Sequence, residues 1–247
     1  MSLLKEEELK KILPQDGPSI NEVKKYLNKY NNEFIVIKCG GSVLINSNLF
    51  NNFIKDIAVL KKLSLNPIIV HGGGKRINNK LDSLNIESKF VKGLRVTDKK
   101  IISIVENVLL DFNKEIVNAI KNNSSKARAF TSKENNIINV KSISKKLGFV
   151  GTPNNIDLGT LKKIISQKEI PVIAPLGLNS DNQVFNINAD EVATSIASSI
   201  NARRLLIVSD VEGVLDKDNN LISEINSNKA QEMIEEKIIS GGMIPKI

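Results

Sequence analysis

An α/β fold built on a mainly parallel sheet is what this chain predicts, and three observations carry the prediction. Short apolar runs, too brief for ordinary helices, occur at Phe34–Ile37, Pro67–Val70, Ile170–Pro175 and Leu205–Val208. Longer segments with apolar residues every three or four positions lie between them. Two of the runs end in glycine turns, KCGGS and HGGGKR. Strand, glycine turn, helix, strand, glycine turn is the order of a parallel sheet, whose ligands gather outside the carboxyl ends of the strands.

Taken in order, residues 1–33 read as a helical arm. Leu3, Leu4, Leu9, Ile12 and Leu13 outline a short helix that Pro14 ends, and QDGPS is a turn. Ser19 and Glu22 fit a capping box that opens a second helix with Ile20, Val23, Leu27 and Tyr30 along one face. That face packs either on its own domain or on another subunit. After the first strand, Leu49–Leu65 has helical spacing through Phe50, Phe53, Ile54, Ile57, Ala58 and Leu60. The loop KGLRVTD leads into a long helix that Thr97 or Asp98 can cap, with Ile101, Val105, Val108, Phe112, Ile116 and Ile120 inward. Asn122–Lys126 is a polar break, followed by an irregular β segment through Val140 and a turn over Leu147–Gly151. Leu161–Gln167 predicts a short helix, and FNINAD enters another, Asn188 and Glu191 having capping spacing. SDVEGV forms the turn after the last apolar strand, and the chain closes on SGGMIPKI. With no internal repeat or low-complexity linker, the expectation is one continuous sheet with two lobes.

Composition narrows the function. The 247 residues suffice for one large core or two lobes, and 41% apolar with 25% charged residues is ordinary globular usage. The net charge of +8 permits nucleic-acid binding, but the lysines are spread along the chain and aromatics are only 4%, which disfavours it. The single cysteine, Cys39, rules out an internal disulfide and fits a reducing compartment, with a space-filling role expected for the thiol. No apolar run approaches the length of a membrane span, and the charged stretch Lys5–Lys11 has no signal-peptide core, so a soluble cytoplasmic protein is expected.

The chemistry sits in the turns. A Gly-Gly pair at a strand end exposes N–H groups to an anion, and Lys38 adds positive charge beside Gly40 and Gly41; a plain βα turn with a chance lysine has the same look. His71-Gly72-Gly73-Gly74 fits neither nucleotide fingerprint, because Ile77 stands where G-x-G-x-x-G needs its third glycine and no G-x-x-x-x-G-K-[ST] occurs. His71 is the only histidine and is expected to support its turn and not to move protons. Arg95, just ahead of the long helix, suits a bidentate grip on a carboxylate, or a surface ion pair. Asn186, Asn188 and Asp190 at a helix start offer polar ligands or mere caps.

In this order, KCGGS, VHGGG, KGLRVTD, NINAD, SDVEGVLDKD and GGMIPK resemble the amino acid kinase family, and GLRVTD with NINAD resembles its N-acetylglutamate branch. The resemblance runs from about Phe34 to Lys246 and implies a three-layer αβα sandwich. It implies an N-terminal arm (1–33), an N-lobe with the acetylglutamate site and a dimer interface (34–178), and a C-lobe for the nucleotide (179–247). The implied reaction is transfer of the γ-phosphoryl group of MgATP to the side-chain carboxylate of N-acetyl-L-glutamate, a step of arginine synthesis. Carried over by position, Lys38 and Lys246 flank the moving phosphoryl group and Asp190 orients them. Gly40, Gly41 and Gly73 offer amides to phosphate, Gly73 and Gly74 border the acetylglutamate, Arg95 holds its α-carboxylate and Asn186 its acetamido end. Ser209, Asp210 and Gly213 belong to the nucleotide pocket. A carboxylate acceptor is already ionised at neutral pH, so no general base is needed. The alternatives are a kinase for a related acidic amino acid, such as an N-acylated aminoadipate, and an inactive binding protein of the same fold. Three departures stand out. Lys75-Arg76 adds charge after the glycines, where a neutral pair is common. The arm resembles the helix that joins dimers into hexamers in arginine-inhibited members, so a homo-oligomer and arginine feedback are expected. The chain stops one residue after Lys246 where the family continues, so a shortened nucleotide lobe is expected.

Overall fold

The computed structural model describes residues 6–13, 16–41, 43, 46–209 and 211–247, the side chains of residues 242 and 245 excepted. Leu3, Leu4, Pro14, Ser42 and Asp210, all named above, lie outside the described residues. The arm forms α1 (Glu6–Ile12) and α2 (Ile20–Tyr30). Ser19 caps α2 in a full capping box, its hydroxyl accepting from the Glu22 N–H while the Glu22 carboxylate accepts from the Ser19 N–H. The arm also touches its own body, with Tyr30 under the guanidinium groups of Arg203 and Arg204 and the Asn32 N–H donating to the Ser64 carbonyl.

Five strands form a parallel sheet. In chain order the elements are β1 (Phe34–Cys39), α3 (Ser47–Lys62), β2 (Asn66–His71) and α4 (Gly74–Ser83). A hairpin of β3 (Phe90–Val91) and β4 (Leu94–Arg95) follows, then α5 (Lys99–Asn122), β5 (Ala127–Phe130), β6 (Ile138–Ser142) and β7 (Val150–Ile156). The remainder is α6 (Leu158–Ser166), β8 (Ile170–Ile173), β9 (Leu176–Leu178), β10 (Val184–Ile187), α7 (Ala189–Ser199), β11 (Arg204–Val208), α8 (Ser227–Glu235) and a 3-10 turn over Gly241–Lys246. The sheet order is β11-β1-β2-β8-β5, all neighbours parallel, so Cys39, His71, Ile173 and Val208 end at one edge.

The two-residue period of a strand decides which layer each side chain joins. Val36, Ile68 and Val70 face a core shared with Leu161 and Ile164 of α6 and Val192 and Ile196 of α7. Ile37, Cys39 and Ile69 face the opposite core, with Ile54 and Ile57 of α3 and Phe112 and Ile116 of α5. The result is the expected sandwich of helix, sheet and helix. The same alternation continues past the apolar residues: Lys38 falls on the α7 side and His71 on the α5 side.

The expectation of one continuous sheet is corrected. β6, β7, β9 and β10 close on one another as a four-stranded ring, alternately antiparallel and parallel, and β3 and β4 pair only with each other. The ring packs Ile138, Val140, Phe185 and Ile187 into the α6–α7 core. Inside it, Gly151 and Gly177 leave no room for a Cβ, the positions of their missing methyls lying 2.0 and 2.3 Å from Val140. The expected turn over Leu147–Gly151 is in part strand: a 3-10 turn spans Lys145–Leu147, Gly148 turns the chain at φ +71°, and β7 begins at Val150.

Candidate active site

The glycine turns after β1 and β2 meet at the carboxyl edge of the sheet. A Cβ on Gly72 would lie 3.4 Å from the Gly41 nitrogen, and one on Gly41 would lie 3.7 Å from the Gly74 nitrogen, so the two backbones approach closely. The N-terminus of α4 is capped by Gly73 without any side-chain bond, which leaves its first amides pointing out of the helix. Gly40 is engaged differently, its N–H donating to the Val208 carbonyl at 2.9 Å, which ties the first turn to β11. Ser209 and Gly213 follow β11 on the far side of that turn, and Asp210 lies outside the described residues.

Lys38 reaches from β1 toward the start of α7. Asn188 caps that helix, its side-chain oxygen accepting from the Asp190 and Glu191 N–H groups, and so fixes where Asp190 projects. Glu191 does not close a capping box; its carboxylate accepts from the Thr152 hydroxyl instead. Asp190, 5% exposed, then holds two lysines: Lys38 Nζ lies 2.8 Å from Oδ1 and Lys246 Nζ lies 3.1 Å from Oδ2. One carboxylate between two ammonium groups leaves net positive charge, and burial makes that charge effective toward an anion.

A cleft of about 250 Å³ runs alongside. Lys38, Gly41, Gly73, Gly74, Arg95, Asn186 and Asp190 all line it, which brings together residues from β1, both glycine turns, β4, β10 and α7. A second cavity of about 580 Å³, reaching Lys246, shares Gly93, Leu94, Asn188 and Asp190 with it. The first is small beside the 300–1,000 Å³ common for drug-sized ligands and suits a compact polar molecule.

Arg95 is buried at 7% exposure, and its partners are neutral. It donates to Asn78 Oδ1 at 2.6 Å and to the Ser88 hydroxyl, and it lies over the Phe90 ring. Among the described residues no carboxylate forms an ion pair with it. Burial lowers its pKa from the ordinary arginine value. Of the two uses open to Arg95, a surface ion pair is therefore excluded. Lys75 and Arg76, whose charge was expected near the substrate, do not line the cleft. Lys75 is exposed, and Arg76 stacks on Phe112 and forms a bidentate pair with Glu115 at 2.6 and 3.0 Å.

His71 supports its turn. It is fully buried; Nδ1 lies 3.0 Å from the Gly72 carbonyl oxygen and Nε2 3.1 Å from the Asn113 amide nitrogen. Burial pushes its pKa down to about 4, so the ring is neutral at physiological pH. Cys39 is equally enclosed, and burial pushes its thiol up to about 12, in keeping with a space-filling role.

Asn78 and Ser88 carried no signal beyond polarity. Asn113 carries one, an amide inside the apolar stripe of α5 between Phe112 and Ile116. Among the described residues no group of three or more His, Cys, Asp or Glu side chains converges as a metal site, and no helix is long and apolar enough to cross a membrane.

The profile of the amino acid kinase family matches residues 33–247. The acetylglutamate kinase of Pelagibacter ubique (strain HTCC1062) is 64% identical over 247 residues, covering all of this chain and 86% of that protein. The acetylglutamate kinase of Campylobacter fetus subsp. fetus (strain 82-40) is 43% identical over 224 residues, covering 90% and 80%. Among solved structures, that of smu.665 from Streptococcus mutans UA159 superposes with a TM-score of 0.78 at 31% identity and covers 86% of each chain.

Proposed function

The chain belongs to the amino acid kinase family, and on that premise we infer that it is an enzyme that phosphorylates the side-chain carboxylate of N-acetyl-L-glutamate with ATP, a step of arginine biosynthesis. The observation that carries the reading is Asp190 holding Lys38 and Lys246 beside a cleft whose other charged wall is the guanidinium of Arg95, hydrogen-bonded to the neutral Asn78 and Ser88. Both reactants are anions, so the site must first offset their repulsion and then stabilise charge on the equatorial oxygens of the moving group.

In the mechanism, Arg95 holds the α-carboxylate of the acceptor and Asn186 its acetamido group, while Gly73 and Gly74 border the chain of the substrate. The side-chain carboxylate oxygen attacks the γ-phosphorus, an O–P bond forms, the bond to the bridging oxygen breaks, and ADP carries away the electron pair. Lys38 and Lys246 stabilise the phosphoryl oxygens from two sides, with Asp190 keeping both ammonium groups aimed. The amides of Gly41 and Gly73 and the uncapped first turn of α4 bind the same oxygens. Mg²⁺, when it is brought in with the nucleotide, would supply neutralisation of the polyphosphate charge. Ser209, Asp210 and Gly213 border the nucleotide, Gly40 shapes the phosphate turn, and the acceptor and nucleotide sites fall in an N-lobe (34–178) and a C-lobe (179–247). The enzyme acts in the cytoplasm as a homo-oligomer, a dimer that the arm extends to a hexamer, with arginine as feedback inhibitor.

The experiment is hydroxylamine trapping of acyl phosphate with MgATP, offering N-acetylglutamate, glutamate, aspartate and N-acetylaminoadipate in turn. Hydroxamate from N-acetylglutamate alone is expected. Equal product from N-acetylaminoadipate would shift the acceptor, and ATP binding without product from any acceptor would sink the kinase reading.

A further inference from the structure

Asn113 is wholly buried in the apolar stripe of α5, a place where an amide costs stability unless all of it is paired. Its Nδ2 makes two bonds, 2.9 Å to the Val172 carbonyl and 3.1 Å to His71 Nε2, and its Oδ1 finds no partner among the described residues. A leucine would fill the same space without an orphaned oxygen, so the amide is better explained by what it does than by what it stabilises.

What it does follows from proton bookkeeping. The Val172 carbonyl only accepts, which fixes the amide with its NH₂ toward β8 and the imidazole. One of those hydrogens then faces Nε2, which must accept, so the single proton of the neutral ring lies on Nδ1. Nδ1–H donates to the Gly72 carbonyl at 3.0 Å. In a trans peptide unit the C=O and the following N–H point in opposite directions. Pinning the Gly72 oxygen inward therefore turns the Gly73 N–H outward, toward the cleft that Gly73 lines. The flanking units are held separately, the Gly72 N–H by the Cys39 carbonyl and the Gly73 carbonyl by the Ile77 N–H, both at 2.9 Å. The unit between them depends on the imidazole.

We propose that Asn113 is a positioning residue for phosphoryl transfer: by fixing the His71 tautomer it aims the Gly73 amide at the transferring group. The inference rests on the reading of the cleft as a phosphoryl-transfer site. Without the Asn113 hydrogen bond the ring proton is free to move to Nε2, which sets a lone pair on Nδ1 against the Gly72 oxygen and lets the peptide swing.

The test uses the full chain and the variants N113L and H71N/N113L. The chain has a single histidine, so its ring ¹⁵N resonances need no assignment. The unaltered protein should show a protonated Nδ1 and a bare Nε2, and N113L a mixture. Losing one aimed donor should lower kcat in N113L about tenfold or more, with KM for N-acetylglutamate within about twofold. The H71N/N113L double variant should recover most of that loss, because a short amide at position 71 donates to the Gly72 carbonyl without needing Asn113. Should N113L not fold by thermal melting, N113A is read in the same way. An unaltered tautomer or an unaltered kcat in N113L overturns the proposal, as does a double variant no better than N113L. Failure of the kinase reading is seen separately and earlier, as no acyl phosphate from the unaltered protein, and it removes this inference too.

Discussion

At the residue scale, one buried carboxylate holds two ammonium groups beside the cleft. Asp190 keeps a partner when either lysine is removed, so Lys38→Ala or Lys246→Ala should melt within a few degrees of the parent. Either should lower kcat about a hundred- to a thousandfold, since each removes one charge from the developing transition state. A variant retaining more than a tenth of the parent rate would assign that lysine elsewhere. His71 gives a pH signature. The native ring protonates only near pH 4, whereas an unfolded histidine does so near 6.5. As pH falls from 6.5 to 4, the unfolded chain takes up a proton that the native chain refuses, and stability drops by about 3 kcal/mol in all. Below about pH 4 this loss stops growing, and above 6.5 it is absent. Denaturant unfolding of the parent and of H71N across pH 4–7 should show the extra slope only in the parent. Lys38, the glycines, Arg95 and Asp190 were all legible as residues, because each stands next to a turn or a helix start that sequence marks. Their partners were not: Asn78 and Ser88 reach Arg95 from separate segments, and nothing in a linear pattern brings them there.

At the element scale, the loop bearing Arg95 is braced by Gly148. Thr97 and Gly148 form a β-bridge, the Thr97 N–H donating to the Leu147 carbonyl at 2.9 Å and the Phe149 N–H to the Thr97 carbonyl at 2.7 Å. Gly148 has φ +71°, and a Cβ there would lie 2.2 Å from the Thr97 carbonyl oxygen. Gly148→Ala should therefore cost about 1–3 kcal/mol by chemical denaturation, from backbone strain and a main-chain clash. It should also raise KM for the acceptor, because Arg95 precedes Thr97 by two residues; unchanged stability and KM together would discount the brace. The helices α2, α3, α5 and α6 and the strands β1, β2, β8 and β11 were legible to within a few residues, since their apolar periods are strong, whereas α4, α8 and the separate strand β5 were not. The long helix needed one adjustment: Leu109 is fully buried, while Val108 is only half-buried. The four-stranded ring and the hairpin were not legible. Most of their strands are short, β7 contains Pro153, and the ring closes only through the non-local pairs β7–β10 and β6–β9.

At the scale of the whole molecule, the arm has an exposed aromatic to account for. Leu9 and Val23 are buried, yet Tyr26, stacked on Tyr30, stays half exposed. If the arm joins dimers into a larger ring, removal of residues 1–31 should lower the particle mass in light scattering threefold while acyl phosphate formation per chain persists. An unchanged mass would leave the arm as a cover for its own domain. The parallel sheet was legible because glycine turns and apolar strands announce one, and the sandwich came from the family resemblance, whereas the division into separate sheets depends on pairings across the chain.

The position of β1 in the sheet has a consequence for how the protein is made. Val36 lies opposite Ile68 on one side and opposite Leu205 on the other. During synthesis β1, an interior strand of the sheet, waits with a bare hydrogen-bonding edge until β11 has left the ribosome. Such an edge is a template for another nascent chain, so ribosome-held intermediates of this protein are expected clients for chaperones that shield unpaired strands, and its refolding should be slow beside that of proteins with local pairing.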